Sequence, residues 1–156
     1  MESDDRIFRR IIDQRDRFYR MAYSYVRNEQ DAMDVVQEVA CKAFKHIKEL
    51  RDPEYAETWL FRVTINTSID FLRKQKHEQA GLPEHDNGAP DSYDKLAVFD
   101  TLRPLDDTSR TIVVLHHMED KNFEQISCIM GKNVNTVKTI YYRAMKTLKE
   151  QIEKEA

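Results

Sequence analysis

Of the chain's 3 glycines and 4 prolines, Gly81, Pro83, Gly88 and Pro90 crowd into one stretch, HEQAGLPEHDNGAPDS. That clustering constrains the fold more than any other feature. Glycine costs a helix interior about 1 kcal/mol relative to alanine and proline about 3, so helices can run freely on either side of this stretch and not through it. It has almost no apolar periodicity, and Glu84, Asp86, Asp91 and Asp94 suit a solvated, flexible connector. Two blocks remain, 1–77 and 93–156, joined by a linker at 78–92. In both, apolar residues recur at spacings of three and four, so the expected fold is all-α: two small helical domains on a flexible linker. No β-rich stretch and no internal repeat competes.

In the first block helices are expected at about 4–27, 31–50, 54–65 and 67–77, and in the second at about 92–103, 106–118, 122–130 and 134–152. Asn28 is read as the end of the first helix. Asp31, with Asp34 three positions on, reads as a capping start for the second. Asn66 is placed at a helix end, where an asparagine can cap or turn the chain. Pro104 separates the first pair of the second block.

The net charge of -3 argues that any nucleic-acid contact must be local or assisted by a partner. One segment supplies local charge. GKNVNTVKTIYYRAMKTLK, from Gly131 to Lys149, holds Lys132, Lys138, Arg143, Lys146 and Lys149 and no acidic residue. On a wheel at about 100° per residue, Val137, Ile140, Tyr141, Ala144 and Leu148 share the core side. Asn135, Lys138, Thr139, Tyr142, Arg143, Lys146 and Lys149 share the other, a mixture of cations, hydrogen-bonding groups and an aromatic ring suited to a DNA groove. Upstream, FEQISCIM should turn Ile126 and Met130 inward, with the small Ser127 permitting close approach. Gly131 supplies the positive φ that a helix-turn-helix needs at its turn.

The other informative stretch is DAMDVVQEVACKAFKHI. Ala32, Val35, Val36, Val39 and Ala43 form a buried face at helical spacing, while Asp34, Gln37, Glu38, Cys41 and Lys45 point outward. Asp34 and Glu38 are like charges four apart, a cost of about 0.2–0.5 kcal/mol to an isolated helix.

This stretch, then AETWLFRVTINTSIDFLRKQ, then the basic helix-turn-helix come in an order and spacing that resemble the extracytoplasmic-function (group 4) sigma factors of bacterial RNA polymerase. The resemblance covers nearly the whole chain. It implies a factor, not an enzyme, that binds core polymerase, directs it to specific promoters and initiates transcription. Asp34, Gln37 and Glu38 would grip the β′ clamp helices, and the β flap would be a second polymerase contact. The match of Trp59, Leu60, Arg62, Asn66, Asp70, Leu72 and Arg73 to the family's melting stretch implies that Arg62, Asn66, Arg73 and Lys74 serve the -10 element, with Ile65 standing where the family commonly has a basic residue. The second domain would read the -35 element from Asn135, Thr136, Lys138, Thr139, Tyr142, Arg143 and Lys146. Family likeness further implies an anti-sigma partner. Trp59, Phe61 and Phe71 are read as core rather than base stackers.

The main contrasting class is an enzyme. Asp31, Asp34 and Glu38 lack the histidine three residues after a glutamate that helical di-metal sites use, and no GxxxxGK[ST] loop is present. His116 and His117, near Cys128, point about 100° apart on a helix and have no second cysteine nearby, so no metal or other cofactor is expected. A stand-alone helix-turn-helix regulator acting without polymerase is the alternative within DNA binding. No apolar run approaches the roughly 20 residues that span a bilayer, the start MESDDRIFRR lacks a secretory pattern, and Cys41 and Cys128 form no close pair, so a cytoplasmic location without membrane insertion is expected.

Overall fold

A computed structural model describes residues 3–78 and 99–155, all of them helix, turn or irregular backbone. The chain divides into two compact units, Met1–Ala89 and Pro90–Ala156. Apart from Glu78, the predicted linker lies outside the described residues, as does the first part of the helix expected at 92–103.

The first unit contains α1 (Asp4–Asp13), α2 (Arg15–Val26), α3 (Glu29–Lys45), a 3-10 turn (Ile47–Leu50) and α4 (Pro53–Glu78). Ser3 caps α1 by accepting from the Arg6 amide at 3.3 Å. The helix expected at 4–27 breaks at Gln14, whose amide turns back to the Ile11 carbonyl at 3.1 Å. The break lets α1 bury Ile7 and Ile11 while α2 turns Met21 through Val26 into the interior. Arg27 ends α2 in the left-handed region at φ 53°. The cap of α3 is Asn28, not Asp31: its side chain accepts from the Asp31 amide at 2.9 Å, leaving Asp31 in the first turn. Three residues before that amide, asparagine has the better geometry for the role, and the acidic side chains it precedes favour the positive end of the helix dipole.

Helices α2, α3 and α4 pack against one another. Phe18 meets Phe61 edge-on at 5.1 Å, and the Arg17 guanidinium lies over the Phe61 ring at 5.3 Å while also pairing with Glu57. The largest departure from expectation is α4, one helix of 26 residues where two were expected. Asn66 sits midway along it, exposed to solvent, and ends nothing. Continuity follows from burial of Leu60, Phe61, Thr64, Ile65, Thr67 and Ser68, with the Thr64 and Ser68 hydroxyls satisfied by the carbonyls of Leu60 and Thr64 at 2.7 Å each. Tertiary packing overrides the weak helix propensity of Thr64, Thr67 and Ser68.

In the second unit Phe99, Leu102 and Leu105 are buried ahead of α5 (Asp107–Val113), which continues as a π turn (Val114–Met118). Asp106 caps α5 through the Ser109 amide at 2.8 Å. Then come α6 (Phe123–Met130) and α7 (Val134–Glu155). Asn122 and Gln125 form a reciprocal capping box at the start of α6. Ile126 and Ile129 are its buried residues, so Ile129 takes the inward place expected of Met130, which is half-buried. Gly131 closes α6 at φ 67°, as the turn requires.

Candidate polymerase and nucleic-acid interfaces

On α3, Asp34, Gln37 and Glu38 are all exposed, opposite buried Ala32, Val35, Val39 and Ala43. The ridge is braced at both ends. The Gln30 amide donates to Asp34 at 3.1 Å, and Lys42 lies 3.6 Å from Glu38 while its ammonium donates to the Thr67 hydroxyl of α4 at 3.0 Å. Burial and the neighbouring Asp34 raise the Asp31 carboxyl above its ordinary value, against the lowering effect of a hydrogen bond with Gln75 of α4. Acidic charge is thus concentrated along one exposed edge. Met33 and Phe44, also on α3, are 46% and 61% exposed, and add apolar surface to the same outward side.

On α4, Arg62, Asn66, Arg73 and Lys74 are exposed. Continuity of the helix aligns three of them: at about 100° per residue, Arg62, Asn66 and Arg73 fall within roughly 40° of one another over about 16 Å of axis, while Lys74 projects about 100° round from Arg73. Two separate helices would not have imposed that line. The same face carries Tyr55, half exposed, and Trp59, partly exposed with its ring 5.5 Å from that of His46. Tyr55 escaped the sequence reading, although the spacing 55, 59, 62, 66, 73 carries the signal once a single helix is assumed. Phe61 is core as expected, whereas Trp59 and Phe71 are only partly buried. Ile65, at 7% exposure, belongs to the packing side.

On α7 the seven side chains expected to face DNA, Asn135, Thr136, Lys138, Thr139, Tyr142, Arg143 and Lys146, are all exposed. Val137, Tyr141, Ala144 and Leu148 are buried on the other side, and Ile140 is half-buried at the boundary. The Asn135 amide donates to the Asn133 side chain at 2.8 Å, which fixes the first turn of the helix. The Ser127 hydroxyl donates to the Lys132 carbonyl across the turn, a role beyond the small size for which Ser127 was singled out. Such a helix presents cations for phosphates and amide, hydroxyl and guanidinium groups for base edges.

The histidine pair behaves differently from expectation. Both rings face one partner, Tyr141, with centroids 4.8 and 5.6 Å away, because the wider π turn replaces the regular helix assumed for them. Among the described residues, no group of three His, Cys, Asp or Glu side chains could hold a metal ion, and no helix is long and apolar enough to cross a membrane.

Sigma-70 region 2 matches residues 11–78 and Sigma-70, region 4 matches residues 95–148, the two segments that build these faces. The RNA polymerase sigma factor SigV of Bacillus subtilis is 39% identical over 149 residues, which is 93% of this chain and 90% of that protein. The ECF RNA polymerase sigma factor SigW of the same organism is 28% identical across 97% of this chain and 91% of that protein. The fold is shared with the sigma factor RpoE solved in complex with the anti-sigma factor NepR from Bartonella quintana, at a TM-score of 0.75 and 21% identity over 93% of this chain and 95% of that one. With both regions matched in order and close relatives matched nearly end to end, the chain belongs to the sigma-70 family, as an RNA polymerase sigma factor of the extracytoplasmic-function type.

Proposed function

We propose that the protein divides its work as residues 1–77 for polymerase binding and -10 recognition and melting, 78–92 as a linker, and 93–156 for the -35 element. The Asp34, Gln37 and Glu38 edge docks on the β′ clamp helices, and the second unit engages the β flap. Arg62, Asn66, Arg73 and Lys74 handle the opened -10 element, where an extruded base needs hydrogen bonds to its edge and the displaced backbone needs cations. Asn135, Thr136, Lys138, Thr139, Tyr142, Arg143 and Lys146 read the -35 element. The protein performs no catalysis of its own and works in the cytoplasm, held in check by an anti-sigma protein, the kind of partner with which its structural relative RpoE was solved.

The observation that carries this reading is the segregation on α7, where all seven proposed DNA-facing side chains are exposed and the buried ones occupy the opposite side. A stand-alone regulator would use the same helix. Mobility shift of promoter DNA by the chain alone, by core polymerase alone and by both together separates the two modes. The proposal expects a specific, heparin-resistant complex only with both; an equally specific shift by the chain alone would favour the stand-alone mode.

A further inference from the structure

The π turn of α5 ends against the back of α7. Its widened hydrogen bonds, Glu119 amide to Val114 carbonyl at 3.2 Å and Lys121 amide to Leu115 carbonyl at 2.9 Å, leave His116 and His117 on one side of the chain, facing α7. His116 Nδ1 donates to the Lys121 carbonyl at 2.9 Å, since a carbonyl can only accept, and its ring stacks on Phe123 at 4.8 Å with 5° between planes. His117 Nε2 lies 2.8 Å from the Tyr141 hydroxyl. Tyr141 is therefore held by ring contacts from His116 and Phe123 and by one hydrogen bond at its tip. Its neighbour Tyr142, 62% exposed on the DNA-facing side, has its ring 5.2 Å from that of Tyr141.

A helix that reads bases must have its rotation about its own axis fixed. On a cylinder of about 6 Å radius, a rotation of about 10° moves a side-chain tip by about 1 Å, while hydrogen-bond lengths tolerate only about 0.5 Å. Apolar packing by Val137, Ala144 and Leu148 holds the depth of α7 but is non-directional. A directional contact from the end of the π turn to the back of α7 is the His117–Tyr141 hydrogen bond.

We propose that His117, seated by His116, is a positioning residue for promoter recognition: through Tyr141 it fixes the rotation of α7 and so the aim of Lys138, Tyr142 and Arg143. Burial and the adjacent His116 hold the His117 imidazole below its ordinary pKa, which keeps Nε2 able to accept from the tyrosine hydroxyl near neutral pH. This inference rests on the proposed -35 role of α7.

The test is transcription of a pooled library of host genomic fragments by full-length protein with core polymerase, each start scored by sequencing for an intact or absent upstream element. Y141F removes only the hydroxyl; H117L removes the ring nitrogens together with the ring's contact with Tyr141, whereas H117Q restores a hydrogen-bond acceptor, its side-chain carbonyl oxygen, near the position of Nε2. Y141F and H117L are each expected to lower the ratio of element-containing to element-lacking transcripts about three- to tenfold, part of the discrimination that a base contact supplies. H117Q should stay within about twofold of wild type, and transcription from element-lacking promoters should not change in any of the three. A wild-type ratio in Y141F or H117L, no rescue in H117Q, or an equal fall on both promoter classes would overturn the proposal. K138A and R143A run alongside: if they also keep the wild-type ratio, it is the -35 role of α7 that has failed.

Discussion

Replacing Asn66 by alanine separates two physical roles with opposite signs. An asparagine that caps a helix contributes about 0.5–2 kcal/mol, all of it lost in alanine. The structure puts Asn66 in the middle of the 26-residue α4, with its side chain exposed. There alanine is the better helix former, and the substitution should stabilise the first unit by up to about 0.5 kcal/mol. For a unit of this size that is an upward shift of about 2–4 °C in midpoint. Thermal and urea unfolding followed by circular dichroism measure it. Transcription should move the other way: closed complexes form normally, while open-complex formation falls and the -10 base preference changes, because the amide no longer offers both a donor and an acceptor to an extruded base. Pre-melted template should restore much of the loss, since the unpairing cost of a few kcal/mol is already met. A drop of more than about 1 kcal/mol in stability would refute the mid-helix reasoning, and wild-type opening with wild-type base preference would refute base capture.

The double substitution Asp34→Ala, Gln37→Ala should leave helicity intact and stability within about 0.5 kcal/mol, as both side chains are exposed; competition with wild type for core polymerase should nonetheless fail, and unchanged competition would remove the clamp-helix role. Gly131→Ala meets no atom within 4 Å of the added carbon, so its cost is the backbone at φ 67° alone, about 1 kcal/mol in urea unfolding of the second unit. Gly131→Asn should cost less, and a larger loss in asparagine than in alanine would point to steric conflict instead. The Asp106 carboxyl is held below its ordinary value chiefly by hydrogen bonding to the Ser109 amide. A depressed folded-state pKa means its contribution is present above the unfolded value of 3.8 and is lost as pH falls through the folded one. Asp106→Ala should therefore destabilise at pH 7 by about 1 kcal/mol and make little difference near pH 2, checked by urea unfolding at both pH values.

The faces of α3 and α7 were legible because each helix is long, solvent-exposed on one side and regular, so period alone separates Val35 and Val39 from Asp34 and Glu38, or Val137 and Ala144 from Lys138 and Arg143. The turn was legible because only Gly131 among its neighbours adopts φ 67° without strain. What escaped notice depended on tertiary contacts. Thr64, Thr67 and Ser68 are weak helix formers in isolation, and only their burial against α2 and α3 carries α4 past Asn66. The break at Gln14 carries no glycine or proline; it exists because α1 and α2 bury different faces. The choice of Asn28 over Asp31 as a cap turned on one hydrogen bond. The π turn had no periodic signature, since it widens a single turn, and with it the convergence of His116 and His117 on Tyr141 was hidden.

The most direct test is run-off transcription with the host's core polymerase on promoter-rich host DNA, with and without the protein. The expected result is a new set of transcripts that appears only when it is added, whose start sites are preceded by two shared elements at a fixed spacing. Asp34→Ala with Gln37→Ala should abolish the set, and Lys138→Ala with Arg143→Ala should selectively remove members that depend on the upstream element. The same transcripts from core polymerase alone, or no sequence shared among the starts, would contradict the assignment.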